Sequence, residues 1–183
     1  MKALMQNMYA LLRAVDSCLE LNLTIPALIL LYSGIDTIAA LEQGRADRNA
    51  FTKWVDSYLL ASKTLPCSAL DLYAARCGVL HTLTSDSDLA RSAKAKRILY
   101  ALGKDDPTKL KAVVDLLKGE PYVVVSVRDL HEGFRLGLAK FIEELETNPT
   151  REARVVKSLQ RWFTHLPAAH VDGILNASRR TEG

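Results

Sequence analysis

The chain has 183 residues, of which 49% are hydrophobic and 25% charged, with only 9 Gly and 6 Pro. That composition excludes a disordered, collagen-like or low-complexity polymer, and the length is that of one domain, or one domain with a small appendage. Lys and Arg number 24 against 21 Asp and Glu, a net charge of +3, and the basic residues are scattered apart from Lys94, Lys96, Arg97 and the terminal Arg179–Arg180. No basic face therefore announces a nucleic-acid binder, although a local phosphate site is compatible with the total.

Cys18, Cys67 and Cys77 are odd in number and widely spaced, with no CxxC pair. A disulfide framework or zinc knuckle is not expected, and reduced thiols point to a cytoplasmic protein. The longest apolar stretch, Leu23 to Ile35, is interrupted by Pro26 and Ser33. It is shorter than the roughly 20 residues of a membrane span, and no signal-peptide layout precedes it, so no membrane partner is expected.

In chain order, Leu4, Met8, Leu11, Val15 and Leu19 recur at intervals of three and four and predict an amphipathic first helix. Thr24 offers an N-cap and Pro26 sits in the following first turn. The segment Leu28 to Ile38, apolar on nearly every side, predicts a central second helix. After the polar stretch Gln43–Asn49 comes a third amphipathic helix carrying Phe51, Trp54, Val55, Tyr58 and Leu59, and ending before Leu65–Pro66. Phe51, Trp54 and Tyr58 follow the helical period, which places them in a core in preference to a base-stacking platform.

Ser68 and Asp71 form a capping-box-like start to a fourth helix, which runs through Leu70 to Leu83 and stops at the polar Thr84–Asp88. Arg97–Leu102 and Tyr122–Val127 are short runs rich in β-formers, with a helical Pro107–Lys118 between them. These strands can pair together or extend a partner's sheet. Two helices follow, from about Asp129 to Glu146 and from about Pro149 to His165, and Ser178–Gly183 reads as a frayed end. The expected fold is thus mainly α: an up-down four-helix bundle over residues 1–90, then residues 91–183 with a small β-containing insert and two further C-terminal helices packing on the same core.

Nucleotide-loop, zincin and hydrolase-elbow motifs are absent, and no Cys/His pairing stands at metal-ligand spacing. What remains is Tyr32-Ser-Gly-Ile-Asp36 in the apolar second helix and Arg76-Cys-Gly-Val-Leu-His81 in the fourth. Ideal helix geometry sets Arg76 and His81 roughly 140° apart, with Leu70, Tyr73, Cys77, Leu80 and Thr84 between them. Leu72, Val79 and Leu83 form a separate apolar face that can seat the helix in its own bundle and leave the stripe for a partner, such as a second copy. Around a two-fold axis the Arg edge of one helix can approach the His edge of the other, with Ala74, Ala75 and Gly78 small enough for close approach. Asp36, a carboxylate on an apolar helix, needs a counter-charge, for which Arg76 and His81 are the candidates. His131, His165 and His170 lie near helix ends and read as surface residues.

The two segments Tyr32–Asp36 and Leu70-Asp-Leu-Tyr-Ala-Ala-Arg-Cys-Gly-Val-Leu-His81 resemble the HEPN superfamily (higher eukaryotes and prokaryotes nucleotide-binding), whose signature is Arg, four to six residues, then His. The similarity covers roughly residues 1–90. In that family a helical bundle dimerises through its signature helices, and many members are metal-independent ribonucleases of toxin, phage-defence or RNA-processing systems. Others are inactive or act as nucleotide-binding partners.

The resemblance implies Arg76 as a phosphate-binding and transition-state-stabilising group, His81 as general acid or base, and Asp36 as a supporting acid. Ser33, Tyr73, Lys94 and Lys96 are the candidate substrate contacts. It also implies a homodimer, RNA or nucleotide as ligand, an antitoxin or nucleotidyltransferase as partner, and no cofactor or metal. The residue after the Arg, polar in many active members, is Cys77 here. The alternative is a non-enzymatic dimerisation or interaction module in which Arg76, His81 and Asp36 are structural.

Overall fold

A computed structural model describes residues 1–82, 87–102, 107–116 and 122–162. The chain is mainly helical. Helix α1 (Lys2–Glu20) buries Leu4, Met8, Val15 and Leu19 on one stripe, as its periodicity predicts. Helix α2 (Thr24–Gln43) is buried along most of its length and packs against α1 and, from later in the chain, four further helices. Its N-cap is Leu23, with no side-chain cap, so Thr24 is the first helical residue and not the cap expected from its hydroxyl. At 20 residues α2 is long and apolar enough by composition to cross a membrane, longer than the Leu23–Ile35 stretch suggests. The helices packed around it account for the same composition, because a helix enclosed by others needs apolar residues all round.

The third helical region is not one regular helix. Helix α3 (Arg48–Trp54), capped by Asp47, whose Oδ1 accepts from Ala50 N at 2.8 Å, runs into a π-helical turn (Val55–Leu59) and the short α4 (Leu60–Ser62). Phe51, Trp54 and Tyr58 are buried, as their spacing predicts. Trp54 stacks at 5.4 Å from Tyr58 and packs edge-on against Phe134, while Tyr58 meets Phe141 edge-on at 5.4 Å. The wide turn is matched from across the core. A Cβ on Gly137 would stand 2.9 Å from the Tyr58 carbonyl carbon, so only glycine lets that helix lie directly on the π-turn backbone.

Helix α5 (Ala69–Thr82) is followed by the four-residue α6 (Asp88–Arg91), which begins at the last residue of the polar run. Ser87 caps α6 by accepting from Ala90 N. Strands β1 (Arg97–Ala101) and β2 (Tyr122–Ser126) pair with each other in parallel, Arg97 opposite Tyr122 and Ala101 opposite Ser126. Helix α7 (Pro107–Leu116) lies between them in sequence and packs on β2, as a parallel pair requires a crossover.

Ser126 ends β2 and caps α8 (Val127–Glu146), its Oγ accepting from Asp129 N at 3.2 Å. The last described element is α9 (Pro149–Trp162). One apolar core draws on both halves, from Leu4 on α1 to Val155 and Leu159 on α9.

Two polar features of this core are not visible in the sequence. Glu42, at the end of α2, accepts from Arg151 Nε at 3.0 Å, and Arg151 Nη1 reaches Glu144 Oε2 at 2.9 Å. Tyr58 joins them by donating to Glu144 at 2.7 Å and contacting Arg151. His131 is the second. Expected at the surface, it is buried between α8 and α1, with Nδ1 3.6 Å from Asp16 Oδ1 and Nε2 without a hydrogen-bond partner among the described residues. Its helix begins at Val127, so His131 occupies the inward face beside Leu130 and Phe134. His165, His170, Leu83 and Thr84 lie outside the described residues.

Candidate functional site

The site is built where α2 meets α5. The apolar residues of α2 claim the interior, which leaves Ser33, Asp36 and Thr37 on its least buried strip. Thr37 ties its hydroxyl to the Ser33 carbonyl at 2.8 Å. Helix α5 is held at its start by a reciprocal capping box, Ser68 N donating to Asp71 Oδ2 at 2.8 Å and Asp71 N to Ser68 Oγ at 3.1 Å. The other Asp71 oxygen accepts from Lys96 N at 2.6 Å and so fastens the approach to β1 onto the same helix end. Leu72, Ala75 and Val79 turn into the core, whereas Leu70, Tyr73, Arg76, Cys77 and Leu80 are half-buried along the opposite stripe and His81 is exposed at its end.

Arg76 divides its guanidinium between two sides. Nε donates to Asp36 Oδ2 at 2.6 Å, and Nη2 reaches the same oxygen. Nη1 points away from Asp36, 3.9 Å from Cys77 Sγ and 3.4 Å from His81 Nε2. The 140° separation on the helical wheel is thus closed within a single chain. Side chains on a helix tilt toward its N-terminus, so the His81 ring leans back by about a turn, and the long arginine spans the rest. Because a guanidinium only donates, this contact leaves the proton of a neutral His81 on Nδ1.

The electrostatics follow from partial burial. Desolvation pushes the Asp36 carboxyl above its ordinary value, against the opposing pull of Arg76 and His81. For Arg76, burial acts to lower the pKa, but the bonds to Asp36 outweigh it and the guanidinium stays firmly charged. Tyr73 lies under that guanidinium, 5.9 Å from its Cζ to the ring centroid. Its phenol is pushed up by burial and by the neighbouring Cys77. Edge-on packing against Phe51 at 5.5 Å fixes the ring.

The structure therefore groups Asp36, Arg76, His81, Tyr73 and Cys77. Ser33 stands one turn before Asp36 on the same strip of α2. Lys94 and Lys96 are elsewhere. They line a cavity of about 620 Å³ with Cys67, Ser68 and Asp71 at the opposite end of α5. Ten residues of helix, about 15 Å, separate Asp71 from His81. Burial raises the Cys67 thiol there to about 12, which keeps it protonated. Among the described residues no three His, Cys, Asp or Glu side chains gather as a metal-ligand set.

Arg48 was not singled out by sequence reasoning. It opens α3 and lines a second cavity, about 450 Å³, with Tyr73, Cys77 and Ser87. Nothing local in the sequence could have signalled it, since the approach of α3 to α5 is a tertiary contact.

No family model matches the chain, and neither does any curated protein or solved structure with which it was compared.

Proposed function

We propose that the chain is an HEPN-like protein that binds RNA or nucleotide phosphate at a site formed by two copies, with metal-independent endoribonuclease chemistry at that site. The observation that carries this reading is the divided guanidinium of Arg76, held by Asp36 on one side and presenting Nη1 beside His81 on the other. In this reading α1, α2, the α3–α4 region and α5 are the four-helix bundle, β1–α7–β2 is the insert, and α8 and α9 are the further helices. The half-buried stripe of α5 is the surface on which a second copy is placed.

The chemistry needs two proton carriers and a cation. With substrate bound, Arg76 Nη1 exchanges His81 Nε2 for a phosphate oxygen. The freed Nε2 of a neutral His81 takes the 2′-OH proton as the oxygen attacks phosphorus, and a protonated His81 of the second copy gives a proton to the departing 5′-oxygen. Arg76 Nη1 stabilises the charge that develops on the phosphorane. The products are a 2′,3′-cyclic phosphate and a free 5′-OH, and DNA, lacking the nucleophile, is not cut.

Incubation of labelled RNA with the purified protein in EDTA tests this. Wild type is expected to cleave, and His81→Ala and Arg76→Ala are expected to lose that activity by at least about 100-fold, the usual scale for a general acid or base. Cleavage that persists in both variants would be a contaminating nuclease. Cys77→Asn, which places an amide oxygen beside Nη1 as a stronger acceptor than the thiol, is expected to cleave severalfold faster than wild type.

One observation favours a second reading. Two N–H groups of Arg76 converge on a single Asp36 oxygen, the geometry of a positioning ion pair. A non-enzymatic interaction module built on that pair predicts normal self-association by sedimentation, no phosphate affinity at Arg76, and no effect of His81→Ala on assembly.

A further inference from the structure

The 450 Å³ cavity beside Arg76 is distinct from the Arg76–His81 contact and has no part in the proton transfers. Its size is in the range of small-molecule sites. Tyr73 is shared between the two. Its ring lies under the Arg76 guanidinium and also forms a wall of the cavity. The ring is pre-positioned, because Phe51 packs edge-on against it from α3.

The remaining walls mix polar, charged and apolar groups. Ser87 contributes a hydroxyl, Cys77 a thiol, and Leu89 an apolar patch. Arg48 supplies a guanidinium whose side chain has no acidic partner among the described residues, in contrast to Arg76 and Arg151. The acid in the lining, Asp88, is paired with Arg91. An aromatic wall, hydrogen-bonding groups and an uncommitted cation thus stand beside a second cation at which a phosphate is placed.

We infer that this cavity is a nucleobase subsite: Tyr73 stacks the base of the ribonucleotide whose phosphate lies at Arg76, and Arg48 at the cavity wall holds a neighbouring phosphate. The inference rests on the reading of the Arg76 face as a phosphate site and adds the group that the protein reads next to it. Base–aromatic stacking tolerates any base, so Tyr73 supplies affinity, while Ser87 and Cys77 meet the base edge. In the interaction-module reading the cavity has no such occupant.

Equilibrium binding of 5′-AMP, 3′-AMP and ribose 5-phosphate to the whole protein separates the two ideas. At least one of the AMP isomers is expected to bind roughly tenfold more tightly than ribose 5-phosphate, the contribution of one stacked base. That margin should vanish in Tyr73→Leu and persist in Tyr73→Phe, which keeps the ring and its packing on Phe51. Arg48→Ser, at an exposed position where folding is not at stake, should weaken a dinucleotide more than a mononucleotide.

Equal affinity for AMP and ribose 5-phosphate, abolished by Arg76→Ala, would overturn the base subsite and leave the phosphate site standing. Nucleotide binding indifferent to Tyr73 and Arg48 would place the base elsewhere and also overturn it. Base-dependent binding in a protein that cuts no RNA would uphold the subsite and defeat the nuclease. Absence of binding by all three ligands would overturn the subsite, and the RNA assay would then judge the catalytic reading by itself.

Discussion

Asp36 holds Arg76 through Nε at 2.6 Å, joining two helices whose paired residues stand forty positions apart in the chain. The carboxylate is only partly exposed, and desolvation raises its pKa despite the guanidinium. A carboxyl raised in the folded state contributes stability below its unfolded pKa and loses it as pH rises through the folded value. Relative to Asp36→Asn, wild type should therefore be most favoured in acid, and should lose ground as pH climbs from the ordinary carboxylate range toward neutrality. Urea midpoints of the two proteins across that range check the sign, and a gap that moved the other way would show that the ion pair dominates over burial.

His131 titrates in the opposite sense. Burial lowers its pKa below 6.5; Asp16 from α1 and Glu132 oppose that shift, while Arg135 and Arg128 add to it. A histidine lowered in the folded state leaves stability complete above about 6.5 and erodes it as pH falls toward the folded value. Wild type should lose stability on acidification from about pH 7 to pH 5, and His131→Leu, which also removes the unpartnered Nε2, should lose less over the same interval. Thermal or urea denaturation at the two pH values gives the comparison.

The Glu42–Arg151 pair predicts strong coupling. Arg151→Met would leave Glu42, 9% exposed, with only the longer contact to Arg154 at 3.4 Å among the described residues. Removing one member of such a pair typically costs about 3 kcal/mol, whereas replacing both charges is nearly neutral. Urea unfolding of Arg151→Met, Glu42→Gln and the double variant should show the double variant more stable than Arg151→Met. Additive losses would mean that the two side chains act independently.

Gly137→Ala weighs helix propensity against contact. Alanine gains about 1 kcal/mol in a helix interior. Here its Cβ would meet the backbone of Tyr58 and Leu59 at 2.9–3.0 Å, and neither can swing aside. A net loss of roughly 1–3 kcal/mol is expected from such overpacking. Gly133→Ala meets the Leu59 and Lys63 side chains at 3.2 Å and should be milder, so the ratio of the two unfolding free energies tests whether α8 lies as closely on the π-turn as described.

These positions also show where reading the chain succeeds. Leu4, Met8, Val15 and Leu19 announce α1 because a buried stripe repeats every turn. Ser68 and Asp71 announce the start of α5 because a cap is satisfied within four residues. Val123, Val124 and Val125 announce a strand by β-branching, though not that its partner is parallel. Thr24 misled, since a hydroxyl at a helix start is a cap only where the backbone turns one residue later. The π-turn at Val55–Leu59 left no mark, because its complement is Gly137, far along the chain.

Local sequence alone determined that this chain is mainly helical, that α2 would be central, and that Asp36 would need a counter-charge. Those properties depend on side-chain periodicity and on the cost of burying charge, both of which act within a few residues. Tertiary structure decided which cation answers Asp36, that His131 turns inward, and that Arg48 and Tyr73 face one cavity. Each of these is a meeting of groups on different elements, settled by how the apolar faces pack, and packing joins residues that no local pattern connects.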